Sequence, residues 1–170
     1  MSLLLNFLPL SRGRHTALHI SSRKGHAVVV KLLIENGAQV DIADKTAETA
    51  LHFASYSGHE EIAKLLLENE ADIEAATDEG WSPLQFAIEN GHFYTTKLLL
   101  EEGAQVNTAT INGWTPLHRA SARGYMRIAR LLLGQGHKPM PYLQTDGPLC
   151  IALQDLAILR WSSCCWEKEL

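Results

Sequence analysis

Residues 113–125, GWTPLHRASARGY, crowd side chains that could do nucleophilic chemistry into one short stretch. His118 and Ser121 stand three residues apart, a spacing that puts two side chains on one face of a helix. A serine hydrolase needs such a pair, because the imidazole takes the proton of the attacking hydroxyl while a carboxylate orients the ring. The first hypothesis for this stretch is therefore an active site.

The same residues recur earlier in the chain, and this recurrence argues against catalysis. A catalytic constellation has no reason to be copied in every block of a sequence, whereas a structural one must be. The segments HTALHI, ETALHF, WSPLQF and WTPLHR place Thr16, Thr49, Ser82 and Thr115 at a constant step of 33 residues. The equivalents of His118 are His19 and His52, and the equivalents of Ser121 are Ser22 and Ser55.

Each block predicts two helices joined by a turn. The Thr or Ser before an apolar run is an N-cap, and Pro83 and Pro116 then fill the first helical position, where a missing N–H costs nothing. A second helix carries apolar side chains at i, i+3 and i+4, as at Ile62, Leu65 and Leu66. The first helix ends at a glycine that tolerates a left-handed backbone, and these residues are Gly25, Gly58, Gly91 and Gly124.

Neither helix can bury its apolar face within one block, so neighbouring blocks must stack side by side. The sequence thus predicts an all-α repeat solenoid, a helix-turn-helix array with β-turn or hairpin-like connections. Repeats 1 to 4 are expected at residues 16–48, 49–81, 82–114 and 115–146. Residues 1–15 are expected to form an irregular N-terminal cap or partial repeat, and 147–170 a degenerate partial repeat or C-terminal cap. A complete protein and a fragment of a larger one both remain open.

Two residues depart from the repeat pattern, and the first of them carries a prediction. Glu70 replaces the glycine expected after the second helix of repeat 2. A positive φ there costs roughly 1 kcal/mol relative to glycine, so a soft joint is expected. Gln85 replaces the histidine that repeats 1, 2 and 4 carry at the same position.

The histidines and carboxylates are interpreted as structural rather than as a metal or catalytic site. The segment HEEIA at 59–63 begins like the zinc-protease motif H-E-x-x-H, but Ala63 stands where the second ligand belongs. Paired carboxylates such as Glu60-Glu61 lie on a predicted exposed helix face. No cofactor and no metal are expected, although direct catalysis or metal binding by the repeated histidines remains the rival hypothesis.

Composition and charge limit the classes of partner. The net charge of −4 argues against sequence-wide affinity for nucleic acid or anionic membranes. The three cysteines all lie near the C-terminus, at Cys150, Cys164 and Cys165. Disulfides between them could not cross-link the whole chain, which fits a reducing compartment. We expect no membrane insertion, a monomer, and a cytoplasmic or nuclear location.

The motifs resemble those of ankyrin repeats, whose period is 33 and whose signature is T-P-L-H-x-A. The resemblance is carried by TALHIS, TALHFA, SPLQFA and TPLHRA, and by GHEEIAKLLLENEADIE. It covers residues 16 to about 138. It implies that the signature histidine bridges the capping threonine and neighbouring backbone, and that turn tips and short helices form a concave binding surface.

Residues on that implied surface differ between repeats, and they are the candidates for partner recognition. Aromatic residues and arginine are enriched at interface hot spots, although Trp81 and Trp114 could equally pack on neighbouring turns. The implied groove alternates in charge, which favours selection of a partner over raw affinity. The candidates are Arg23, Lys24, Lys45, Glu48, Tyr56, Asp78, Glu79, Trp81, Glu89, Asn90, Asn112, Trp114, Arg119 and Arg123.

The function expected from the sequence is a non-enzymatic protein–protein interaction module. It would dock a partner protein or peptide in the concave groove by complementary shape and charge. The alternative is the recognition or regulatory part of a larger enzyme or channel, such as a ubiquitin ligase or kinase assembly.

Overall fold

The computed structural model describes residues 15–135, and within this range the chain is helical and contains no strand. This confirms the predicted all-α array. Outside the described residues lie the predicted N-terminal cap except His15, the end of repeat 4, the predicted C-terminal cap and the cysteine-containing tail. The helices are α1 Ala17–Lys24, α2 Ala27–Glu35, α3 Ala50–Ser57, α4 Glu60–Glu68, α5 Pro83–Glu89, α6 Phe93–Glu101, α7 Pro116–Ala122 and α8 Met126–Gly134.

The helices form two layers. The first helices of successive repeats, α1, α3, α5 and α7, pack on one another in sequence, and each also packs on the second helix of its own repeat. Fully buried leucines from both layers, such as Leu51, Leu66 and Leu84, belong to one hydrophobic cluster that runs through the described repeats. Each repeat therefore depends on its neighbours for burial, as expected for stacked units.

The signature histidines hold the starts of the first helices. The backbone N–H of Thr49 donates to His52 Nδ1 (3.0 Å), and His52 Nε2 donates to the Trp81 carbonyl (3.1 Å). His19 makes the same pair of bonds, to the Thr16 N–H (2.9 Å) and the Ile42 carbonyl (2.7 Å). Because Nδ1 accepts a hydrogen bond, the proton of each neutral ring is on Nε2. The predicted structural role of these histidines is confirmed.

Gln85 makes hydrogen bonds in repeat 3 that are equivalent to those of the signature histidines. Its Oε1 accepts from the Ser82 N–H (3.3 Å), and its Nε2 donates to the carbonyls of Thr108 (2.9 Å) and Trp114 (3.2 Å). An amide offers both an acceptor and a donor, so the cap and the bridge to the next turn both survive.

The glycines that end the first helices serve two purposes. Gly58 has a φ of 73°, the left-handed conformation predicted from the sequence. A Cβ at Gly58 would also lie 2.5 Å from His92 Nδ1, because the His92 ring reaches back and donates to the Tyr56 carbonyl (3.0 Å). This contact between repeats was not predicted from the sequence.

Hairpin-like turns connect the repeats. The Thr77 N–H donates to the Trp81 carbonyl (3.0 Å) across one turn, and the Asp78 N–H reaches the Thr46 carbonyl of the preceding turn (3.3 Å). Glu70 has a φ of 64°, the positive value considered from the sequence, while the softness of this joint stays a prediction. Ala47 was missed: its φ is 61°, although Gly80 and Gly113 occupy the same position of later repeats.

Candidate interaction surface

Side chains of the hairpin-like turns meet side chains of α1, α3, α5 and α7 at a surface here called the groove face. Residues from both kinds of element line two depressions on it. The first, the aromatic pocket, has a volume of about 150 Å³ and is lined by Arg23, Glu48, His52, Phe53, Tyr56 and Phe86. The second, the arginine cluster, has a volume of about 350 Å³ and is lined by Glu89, Asn112, Trp114, Arg119, Ala122 and Arg123.

The aromatic pocket has aromatic walls and a carboxylate. Phe86 packs edge-on against His52 and Tyr56, with ring centroids 5.5 and 6.2 Å apart. Glu48 is half-buried, and this burial raises the pKa of its carboxyl group. Arg23 is exposed at the rim. The pocket thus combines apolar ring faces with one partly desolvated acidic group.

The arginine cluster holds its charges in contact with one another. The Arg119 guanidinium carbon lies 3.5 Å from the centroid of the Trp81 ring and 5.6 Å from that of Trp114. Arg119 Nη1 donates to Glu89 Oε2 (3.1 Å), and Arg123 also pairs with the Glu89 carboxylate. Burial lowers the pKa of Arg119, but a guanidinium stays charged at any ordinary pH.

Trp81 packs within the molecule. Its ring is tilted against Phe86 with the centroids 5.1 Å apart, and Arg119 covers it. Trp81 lines neither depression, so of the two roles considered for it, the structure shows the packing one. Trp114 lines the arginine cluster and is half-exposed.

The remaining candidates lie outside both depressions. Lys24, Lys45, Asp78 and Glu79 are exposed, and the last two lie at the tip of the turn between repeats 2 and 3. The half-buried Asn90 donates its amide Nδ2 to the Phe86 carbonyl (3.0 Å). Whether any of the candidate residues contacts a partner stays a prediction.

Sequence reasoning did not single out Phe53 and Phe86, which form two walls of the aromatic pocket. Phe53 and Phe86 share a repeat position with Ile20, and three apolar residues in a column indicate a core. The fourth residue of that column is Arg119, and a charged member is the signal that the position borders the surface.

One histidine–carboxylate pair lies at the edge of this face. His15 Nε2 is 3.0 Å from Asp44 Oδ2, while Asp44 Oδ1 accepts from the N–H groups of Thr46 (2.8 Å) and Glu48 (3.0 Å). Asp44 therefore fixes the turn. Within residues 15–135 no group of three or more His, Cys, Asp or Glu side chains is placed to hold a metal ion. Across the same range, every helix is too short or too polar to span a bilayer.

The chain is similar to a known family. A family model described as ankyrin repeats (3 copies) matches residues 2–77 and again residues 72–141. The first match begins ahead of the first predicted full repeat, and the two together cover most of the chain. A search of the curated proteins found no match.

Proposed function

The chain belongs to the ankyrin repeat family, and we propose that it is a non-enzymatic module that docks a partner protein or peptide on its groove face. Ankyrin repeats are generally protein–protein interaction modules. The single observation that supports the groove face is the pair of depressions, because residues that differ between repeats line both of them.

The chemistry of these depressions suits a protein surface. Tyrosine, tryptophan and arginine side chains carry much of the binding energy at protein interfaces, and Tyr56, Trp114 and Arg123 lie here. At about 150 Å³ the aromatic pocket has room for one side chain, whereas pockets for drug-sized ligands measure roughly 300–1,000 Å³.

The signature histidines support the non-enzymatic part of the proposal. Both ring nitrogens of His19 and His52 are hydrogen-bonded to backbone groups, and both rings are buried. A general base must reach a substrate proton, and a ring that is occupied on both sides does not.

Two exposed tyrosines give a matched test of the docking face. Tyr56 (47% exposed) lies on the groove face, and Tyr94 (63% exposed) lies on the second helix α6. Tyr56→Ala is expected to reduce capture of bound proteins from a cell extract about tenfold, as loss of an interface aromatic does. Tyr94→Ala should leave capture unchanged, as measured by quantitative mass spectrometry of the bound fraction.

Circular dichroism of both variants shows whether the helices are retained, and neither side chain is in the core. Loss of the same proteins on Tyr94→Ala, with retention on Tyr56→Ala, would assign docking to the second-helix face and contradict the proposal.

A further inference from the structure

Residues of repeats 2, 3 and 4 form an internal cation site on the groove face. The Arg119 guanidinium lies over the Trp81 ring at 3.5 Å and donates to the Glu89 carboxylate at 3.1 Å. The ring quadrupole attracts the cation, and the carboxylate supplies a charge-assisted hydrogen bond. One aromatic ring and one carboxylate thus hold one guanidinium.

The three equivalent positions one repeat earlier contain no cationic residue. Glu48 stands in the position of Trp81, Tyr56 in that of Glu89, and Phe86 in that of Arg119. An aromatic ring and a carboxylate are present again, but the third position holds a second ring instead of the arginine. These three residues line the aromatic pocket, so a cavity lies where the cation is lacking.

The Glu48 carboxylate is the group in the pocket that a bound cation would stabilise. It is half-buried, and no donor of residues 15–135 lies within hydrogen-bond or ion-pair distance of it. His15 and Arg23 act on it only through space, and Arg23 lies at the exposed rim of the pocket. A partly desolvated carboxylate beside aromatic ring faces is stabilised by a cation that enters the pocket.

The charge of the central repeats favours a basic partner at longer range. In residues 49–114 the only cations are Lys64 and Lys97. The carboxylates of the same residues are Glu60, Glu61, Glu68, Glu70, Asp72, Glu74, Asp78, Glu79, Glu89, Glu101 and Glu102. A negative field of this kind steers a positively charged segment toward the surface and repels an acidic one.

We propose that the aromatic pocket receives an arginine side chain from a basic segment of the partner protein. This inference rests on the proposed docking at the groove face and names the chemistry of what docks. The guanidinium stacks against Tyr56 and Phe86 and donates to Glu48, so that the partner supplies the cation that Arg119 supplies between repeats 3 and 4.

The probe for the test is a short Gly/Ser peptide with a run of arginines, titrated into the ¹⁵N-labelled protein and followed by NMR. Saturable shifts of the Tyr56 and Phe86 amide signals are expected, and a matching peptide with glutamates should produce none. Glu48→Gln should weaken binding of the arginine peptide about fivefold or more.

Two further variants separate the pocket from general electrostatics. Glu79→Gln removes the same charge from an exposed position on the same face, so it should weaken binding much less than Glu48→Gln. Arg23→Gln removes a like charge from the pocket rim and should tighten binding of the arginine peptide. Amide spectra of the free variants show whether each remains folded.

Preferential binding of the glutamate peptide at the same amides would overturn the inference, as would equal weakening by Glu48→Gln and Glu79→Gln. Failure of the arginine peptide to perturb the pocket would also overturn it. If capture of partners still depends on Tyr56 in that case, groove docking stands and only the cation is wrong. Capture that depends on Tyr94 instead would contradict the docking face itself.

Discussion

The structural role of His52 depends on the protonation state of its ring. Burial lowers its pKa to about 4, while backbone hydrogen bonds act in the opposite direction. Protonation of Nδ1 would place a charge in the core and remove the acceptor for the Thr49 N–H. The neutral ring is therefore part of the folded state.

Stability is expected to fall as the pH drops from about 6.5 to about 4. In this window the unfolded chain binds a proton at His52 that the folded chain does not, so acid favours unfolding. The loss at His52 amounts to about 3 kcal/mol at most, and His19, whose pKa is also lowered, adds in the same direction. Urea unfolding at several pH values measures the change.

His52→Gln is the matched control, because Gln85 already does the same work in repeat 3. The variant should keep the helix cap at neutral pH and show a smaller pH dependence. If the full dependence persists in His52→Gln, His52 is not its source.

At the scale of the element, two glycines in the same repeat position separate backbone strain from contact between repeats. Gly58 and Gly124 have φ values of 73° and 71°. A Cβ at Gly58 meets the His92 ring at 2.5 Å, whereas a Cβ at Gly124 meets nothing within 4 Å among the described residues.

Gly124→Ala should cost about 1 kcal/mol for the left-handed conformation alone, and Gly58→Ala about 2 kcal/mol or more, because the ring must also move. Thermal and urea unfolding of the two variants gives the difference. Equal losses of stability in the two variants would show that the His92 ring adapts freely and that its close approach to Gly58 does not affect the free energy of unfolding.

These elements also show what the sequence could predict. Capping residues, the glycine helix ends and the Glu70 joint follow from local backbone chemistry, and comparison of repeats located them. The reach of His92 to the Tyr56 carbonyl and the walls made by Phe53 and Phe86 depend on how neighbouring repeats stack. Comparison of the repeats shows which residues are equivalent. It does not show which residues of the next repeat each of them contacts.

At the scale of the whole molecule, charged side chains of the groove face contribute to the stacking of repeats, in addition to any role in partner binding. The sequence predicted an alternation that selects partners, but Glu89 is already paired with Arg119 and Arg123. Arg119 lies in repeat 4, while Trp81 and Glu89 belong to repeats 2 and 3 by their predicted boundaries. One side chain thus ties the last described repeat to those before it.

In an array of stacked units, weakening one interface should loosen the terminal unit first. Arg119→Ala is expected to lower the opening free energy of α7 and α8 amides by about 1 kcal/mol, and to leave α3 and α4 unchanged. The loss stays modest because Arg119 Nε is buried without an acceptor in residues 15–135, which offsets part of the pairing. Hydrogen exchange read residue by residue measures it, with the exposed Arg130→Ala in α8 as the control for loss of one positive charge. Equal loosening of α3 and α8 would mean that the described repeats open as one unit, held by the continuous core rather than by Arg119.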